Sequence, residues 1–441
     1  MNQSGFVKNA ALFQETIKPV ATLPPSWAAQ SIFYQIFPER FCNGDLSNDP
    51  VEKEAWDAQP TCFNFFGGDL KGIIDKIPYL KQLGVTSLYL NPVFESPSNH
   101  KYNTSDFLKI DPSFGDIWTF KKLIQELHNA GMKLIIDGVF NHTGDTFKAF
   151  QDVLKRGADS RFKDWYYFHG FPVVQGSNPN YDCWWNFGTL PKLNYQNPEV
   201  VRYILRVVAF WTSLGIDGWR LDVPNEVVFD FWKIFRRLVK SINPEAFIVG
   251  EIWDDPAGWL RGDTCDAVMN YQWRDAVLRY FAYGQSSADQ LRVELAGLRA
   301  NLPWETITSA YNLLSSHDTP RFLTLCGGER RKFLAALAFQ FTYPGIPALY
   351  YGDEIGLQGD KDPDCRKTMQ WDPQNQNQVI LEATQTLAAL RRQYQALQDG
   401  GYYELNVGEA LFGFVRCGQK EQILFVSNMS PECRLIQLPE E

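Results

Sequence analysis

The stretch FKKLIQELHNAGMKLIIDGVFNH, residues 120–142, changes its period halfway along. Over FKKLIQELHNAGM the apolar residues recur at three and four, the spacing that lays them along one face of a helix. KLIIDGV then runs apolar on both faces, as a strand buried in a parallel sheet does, and the run gives way to polar groups: Asp137, Asn141 and His142. A helix feeding a buried strand is half of a parallel βα repeat. The unit recurs, with strands expected at 32–41, 87–93, 133–139, 218–223, 247–252, 267–271, 311–315 and 348–352. FDFWKIFRRLVKSI, residues 229–242, is another amphipathic helix between them. Eight such strands predict an α/β chain folded as a TIM (β/α)8 barrel.

Working outward, 441 residues exceed the roughly 250 of a plain barrel, leaving room for additions. The gap after the third strand holds no helical period, so 143–195 is expected to be an inserted subdomain. Beyond residue 398 the helical pattern stops, and YYEL, LFGFVRC, QILFVSN and RLIQL predict four strands of a small all-β domain, 399–441. The division is therefore a tail at 1–25, a barrel over 26–398 and that terminal domain. A net charge of −9 opposes binding to nucleic acid, which needs clustered Lys and Arg. No apolar run approaches the ~20 residues of a membrane span, and the first 25 residues show no secretory pattern. Eight cysteines without CxxC spacing read as reduced thiols, consistent with a cytoplasmic protein. The 14 Trp suit a ligand with flat apolar faces, such as a sugar.

Barrel chemistry sits at the carboxyl ends of the strands. There the sequence places Arg220 and Asp222 in GWRLDV, Glu251 in IVGEIW, and His317 and Asp318 in SSHDTPR. Glycoside hydrolysis needs two carboxyl groups of unequal acidity. Asp222 and Glu251 fit: Arg220, two residues before Asp222 on the same side of the strand, is expected to keep it ionised. Trp253 is expected to wall Glu251 with apolar surface and so hold its proton. Any one of these residues has helix capping as its ordinary explanation; four strand ends together do not.

DGVFNH, GWRLDV, IVGEIW and SSHDTPR stand in the order of the four signature regions of the α-amylase family, which the chain resembles from about residue 26 nearly to its end. The resemblance implies a retaining double displacement with Asp222 as nucleophile, Glu251 as general acid/base and Asp318 holding sugar hydroxyls in the transition state. Arg220, His142 and His317 would line the same subsite, with Asp137 a structural neighbour of Arg220. Tyr102, in SNHKYNTSDF, matches the ring that stacks on the cleaved glucose; Asp362 and Arg366, in DPDCRKTMQW, match further sugar contacts. LPKLN at 190–194 resembles the fifth region of the neopullulanase, cyclomaltodextrinase and maltogenic amylase branch. That branch implies cleavage of α-1,4 and α-1,6 bonds in maltooligosaccharides and in glucans derived from glycogen or starch, debranching included.

The branch also implies a structural calcium ion, on Asn43, Asp45, Asn48 and Asp49 of NGDLSND with Gly67 and Asp69 of GGD. Oxygen-rich loops of this kind suit calcium, and paired Asx turns are the alternative. No organic cofactor is implied. The β-sandwich that precedes the barrel in the branch is not evident, which leaves a homodimer open and predicts a wider cleft for long or branched chains. Asn103, Pro224 and Asp254 depart from the usual residues. A transglycosylase and a non-catalytic glucan-binding barrel are the competing readings.

Overall fold

Each of the eight apolar runs yields a strand in the computed structural model, which describes residues 22–405, 407 and 411–436. They are β1 (Phe33–Ile36), β2 (Ser87–Leu90), β3 (Lys133–Gly138), β4 (Gly218–Leu221), β5 (Phe247–Gly250), β6 (Ala267–Val268), β7 (Tyr311–Leu313) and β8 (Ile346–Tyr350). All are parallel; Phe33 pairs with both Ser87 and Ala348, setting β1 between β2 and β8. A bridge from Met269 to Tyr311 joins the free edges of β6 and β7 and completes the barrel.

The strands are shorter than the apolar runs, for local reasons. After β1, Pro38 opens a helical turn, Pro38–Phe41, so the run expected to reach residue 41 stops at Ile36. After β6, the Asn270 side chain accepts from Trp273 N and starts the helix Tyr271–Val277. β8 begins two residues earlier than expected, at Ile346.

Helix α1 (Ile117–Asn129) is capped by Asp116, whose carboxylate accepts from Trp118 N and Thr119 N. It buries Phe120, Leu123, Ile124 and Leu127, the stripe read from the sequence. Helices α2 (Pro198–Ser213) and α3 (Phe229–Ile242) flank β4, and α4 (Arg330–Thr342) precedes β8. Inside the barrel Phe33, Tyr89, Ile135, Phe247, Val249, Tyr311, Leu313 and Ile346 form one apolar cluster. Alternation along each strand then brings Gln35, Asp137 and Arg220 inward one layer higher, toward the carboxyl ends.

At the opposite end, just before β6, buried Asp266 accepts from Arg236 Nη1 at 2.7 Å and from the backbone of Ile248 at 2.9 Å. Lys240 Nζ lies 2.9 Å from its other face, so two cations of α3 meet one carboxylate.

Residues 143–195 cross the carboxyl ends with little regular structure beyond the helix Lys148–Arg156. Phe150, Tyr166, Phe168 and Tyr181 pack on one another. LPKLN returns beside the end of β3, where His142 bridges Lys192 and Leu193 N donates to Asn141 O. The chain ends in an antiparallel sheet of β9 (Gly401–Leu405), β10 (Leu411–Cys417) and β11 (Gln422–Asn428), whose Phe412, Phe414 and Phe425 pack on Phe339 of α4. The fourth strand expected at RLIQL does not form over 434–436: Leu435 is fully exposed, with no core to pair against. Its remaining residues, 437 and 438, and residues 1–21 of the expected tail, lie outside the described residues. Among the described residues no helix is long and apolar enough to cross a membrane, and none of the eight cysteines forms a disulfide.

Candidate active site

Arg220 stands at the centre of the carboxyl end. Its Nη1 donates to both oxygens of Asp137, at 2.8 and 3.0 Å, and to Asp222 Oδ1 at 2.9 Å. Its Nη2 lies 2.7 Å from Glu251 Oε2. Three carboxylates from β3, β4 and β5 thus meet one guanidinium, all of them buried.

Asp222 has its acidity set against the expectation. Burial pushes its pKa well above the usual carboxylate range, Arg220 pulls it down, and the charges of Glu251 and Asp137 push it up again. One cation stands against three buried carboxylates, so the Asp222 carboxyl lies above the usual range despite Arg220.

Trp253 also departs from its expected role. Rather than walling off the acid, its indole Nε1 donates to Glu251 Oε1 at 2.9 Å, a contact that stabilises negative charge there. The ring is 47% exposed and stacks on Tyr271 at 3.6 Å. Glu251 Oε2 takes a second donor, Val223 N at 3.1 Å. To present that N–H, Val223 adopts a left-handed backbone, φ 35 and ψ 53. For a β-branched residue followed by proline this is a strained conformation, of order 1–3 kcal/mol.

On the facing side, His317 Nε2 lies 2.9 Å from Asp318 Oδ2, and Arg366 Nη2 donates to Asp318 Oδ1 at 3.1 Å. Burial raises the Asp318 pKa, but His317, Arg366 and Arg220 together outweigh it and hold the carboxyl below its ordinary value. Arg366 Nη1 also meets Asp362 Oδ2 at 3.1 Å. Tyr102 stacks on His317 with ring planes 5° apart, and its hydroxyl donates to Asp137 Oδ2 at 2.9 Å. His142 is buried beside Trp184, and burial pulls its pKa down to about 4, so it is neutral near pH 7. Asn141 Nδ2 meets its Nδ1 at 3.1 Å, which puts the ring hydrogen on Nε2.

Every catalytic and sugar-binding candidate lies on this network or borders it. Residues that the strand-end reading passed over stand here as well: Gln35, Tyr89, Asn91, His100, Val223 and Tyr271. Asn91 carried a signal, since it is a polar residue closing an apolar run in LYLNP, and Gln35 a weaker one, as the lone polar residue inside FYQIF.

The calcium candidates form a separate cluster, on the loop after β1 and the start of the helix Leu70–Asp75. Asp69 accepts from Gly44 N, Asp45 N, Gly72 N and Asn48 Nδ2. Asn43 Nδ2 reaches Asp49 Oδ1, and Lys53 pairs with Asp49 Oδ2. The amide oxygens of Asn43 and Asn48 are buried without a protein partner. Gly67, at φ 79, keeps the cluster clear: a Cβ there would stand 2.5 Å from Asp49 Oδ1. Two orphaned oxygens beside carboxylates fit a hard, oxygen-seeking cation.

The family model described as Alpha amylase, catalytic domain, matches residues 35–400. Neopullulanase 2 from Thermoactinomyces vulgaris is 50% identical over 423 residues, covering 94% of this chain and 72% of that protein. A cyclic α-maltosyl-(1→6)-maltose hydrolase from Arthrobacter globiformis, solved with cyclic α-maltosyl-(1→6)-maltose, superposes with a TM-score of 0.90 at 41% identity, over 92% of each chain. A Nostoc punctiforme debranching enzyme superposes with a TM-score of 0.84 at 36% identity, over 92% and 90% of the two chains. The strand-end motifs, their convergence on Arg220 and these likenesses agree: the chain belongs to the α-amylase family of glycoside hydrolases, among its neopullulanase and cyclomaltodextrinase members.

Proposed function

We propose that the protein hydrolyses α-1,4 and α-1,6 glucosidic bonds in maltooligosaccharides and branched glucans, with retention of configuration. The observation that carries the reading is Arg220 touching Asp222 and Glu251 at once, which places two buried carboxyl groups against one scissile bond. Hydrolysis with retention gives the two carboxyl groups distinct roles. Asp222 attacks the anomeric carbon as the ionised partner while Glu251 gives its proton to the leaving oxygen. Glu251 then takes a proton from water, and the hydroxide displaces Asp222. Asp318, held ionised, accepts from hydroxyls of the distorted sugar; His142 and His317 donate to others, and Tyr102 packs on the ring.

Calcium would be held by Asn43, Asp45, Asn48, Asp49, Asp69 and the Gly67 carbonyl, and would brace the loop after β1. Free thiols support a cytoplasmic setting.

Incubation with maltoheptaose, pullulan, a cyclomaltodextrin and a branched maltodextrin, followed by identification of products, tests the proposal. Free sugars from α-1,4 and α-1,6 substrates are expected. Products longer than the substrate would favour transglycosylation, with the exposed face of Trp253, backed by Tyr271, as the platform for an accepting sugar. Far greater activity on the cyclomaltodextrin than on the branched glucan would overturn the wide cleft, and release from none of the four would overturn the enzyme.

A further inference from the structure

Beneath the proposed site, hydrogens can be assigned one by one. Both oxygens of Asp137 are engaged by Arg220, and a carboxylate offers lone pairs only. The hydroxyls of Tyr89 and Tyr102, at 2.6 and 2.9 Å from Asp137 Oδ2, therefore both donate to it. A phenol has a single hydrogen, so the Tyr102 oxygen meets its two other neighbours as an acceptor. These are Asn91 Nδ2 at 3.0 Å and His317 Nε2 at 2.6 Å. With its amide nitrogen on Tyr102, Asn91 turns its Oδ1 to Gln35, whose Nε2 donates to it at 2.9 Å. The remaining hydrogen on Gln35 Nε2 points to His317 Nδ1, 2.8 Å away.

Gln35, Tyr89, Asn91, Asp137 and His317 are buried and Tyr102 is partly buried, and each contact fixes the direction of the next. We propose that Gln35 and Asn91 are positioning residues that lock His317 as the Nε2–H tautomer, its hydrogen shared between the Tyr102 oxygen and Asp318 Oδ2. The other tautomer would set a lone pair against the Asp318 carboxylate and one N–H against another at Gln35. The two walls of the site are thereby wired together. Asp137, which holds Arg220 on the side of the nucleophile, dictates through Tyr102, Asn91 and Gln35 which hydrogen faces Asp318. Neither amide has to touch sugar for this.

The inference rests on the proposed role of Asp318 only for its effect on turnover; the tautomer is measurable on its own. With the five histidines 15N-labelled, a long-range proton–nitrogen spectrum of the whole protein near about pH 7 separates the two kinds of ring nitrogen. His317 is assigned by its loss in His317→Gln. The expected spectrum shows Nδ1 without a hydrogen and Nε2 with one. A hydrogen on Nδ1, alone or together with one on Nε2, would overturn the proposal, and the unmodified protein suffices to decide. In Gln35→Glu the carboxylate can only accept, so Asn91 must reverse and Nδ1 must take a proton. The expected change is a proton-bearing Nδ1, with kcat lowered about tenfold and KM within about twofold. An unchanged His317 spectrum in folded Gln35→Glu would also overturn the wiring.

Discussion

Two buried charge clusters occupy opposite ends of the same barrel and are built with opposite balance. At the amino end one carboxylate, Asp266, meets Arg236 and Lys240. At the carboxyl end one guanidinium, Arg220, meets Asp137, Asp222 and Glu251. Where cations are in excess every carboxylate oxygen is engaged, and the cluster ties α3 to the strands. Where carboxylates are in excess, burial and neighbouring negative charge push the pKa of Asp222 above the usual carboxylate range. The imbalance, rather than burial or the count of ion pairs, separates the reactive cluster from the structural one.

Asp222→Asn tests the contrast most severely. It should cost at least about 10⁴-fold in kcat, since the proposed nucleophile is lost while the shape stays. The folded-state pKa of Asp222 is raised, so its ionisation costs stability as pH rises from the unfolded value near about 3.9 through the folded one. Asp222→Asn should therefore be more stable than the parent by on the order of 1 kcal/mol or more at about pH 7, a gain that disappears in acid. Urea titration at two pH values checks both signs. The acid limb of kcat/KM should likewise lie well above the ordinary carboxylate range.

Asp266→Asn should do the reverse. Stripping the charge from a buried pair costs about 3–5 kcal/mol by denaturant titration, while kcat per folded molecule stays within about twofold. Should it instead abolish turnover in a folded protein, the two ends are not independent. On the proposed calcium site, a chelator should lower the unfolding temperature in the same sense, by an amount equivalent to about 2.7 kcal/mol for a site filled at a hundred times its Kd. Trp253→Phe keeps the stack on Tyr271 and deletes the hydrogen bond to Glu251 Oε1. A tenfold fall in kcat, about 1.4 kcal/mol, is expected; no change would leave Trp253 a sugar platform alone.

The barrel and its reactive face could be read from residues because both rest on local signals: period, and polar groups closing apolar runs. Asp137, Asp222, Glu251 and Asp318 announce themselves so. What failed to show depends on three dimensions. Trp253 stands two residues from Glu251 whether its indole walls the acid or donates to it, and only the stack on Tyr271 turns the N–H inward. The acidity of Asp222 depends on Asp137, 85 residues away along the chain. β6 was overestimated because Met269 to Tyr271 are as apolar as a strand, although Asn270 caps a helix. The expected strand at RLIQL is β-rich by composition, yet nothing covers Leu435. Asn91 was within reach of the same strand-end rule and was passed over because amides do not ionise, whereas Gln35 stands inside its strand, where that rule does not look.

The left-handed turn at Val223 has a consequence in time. A valine before proline does not hold that conformation in an open chain, so the donor to Glu251 Oε2 exists only once β4 and β5 are zipped and Pro224 is packed in place. A half-closed barrel owns the same carboxylates and lacks their arrangement. Turnover is thus expected only of chains in which β4 and β5 are already paired.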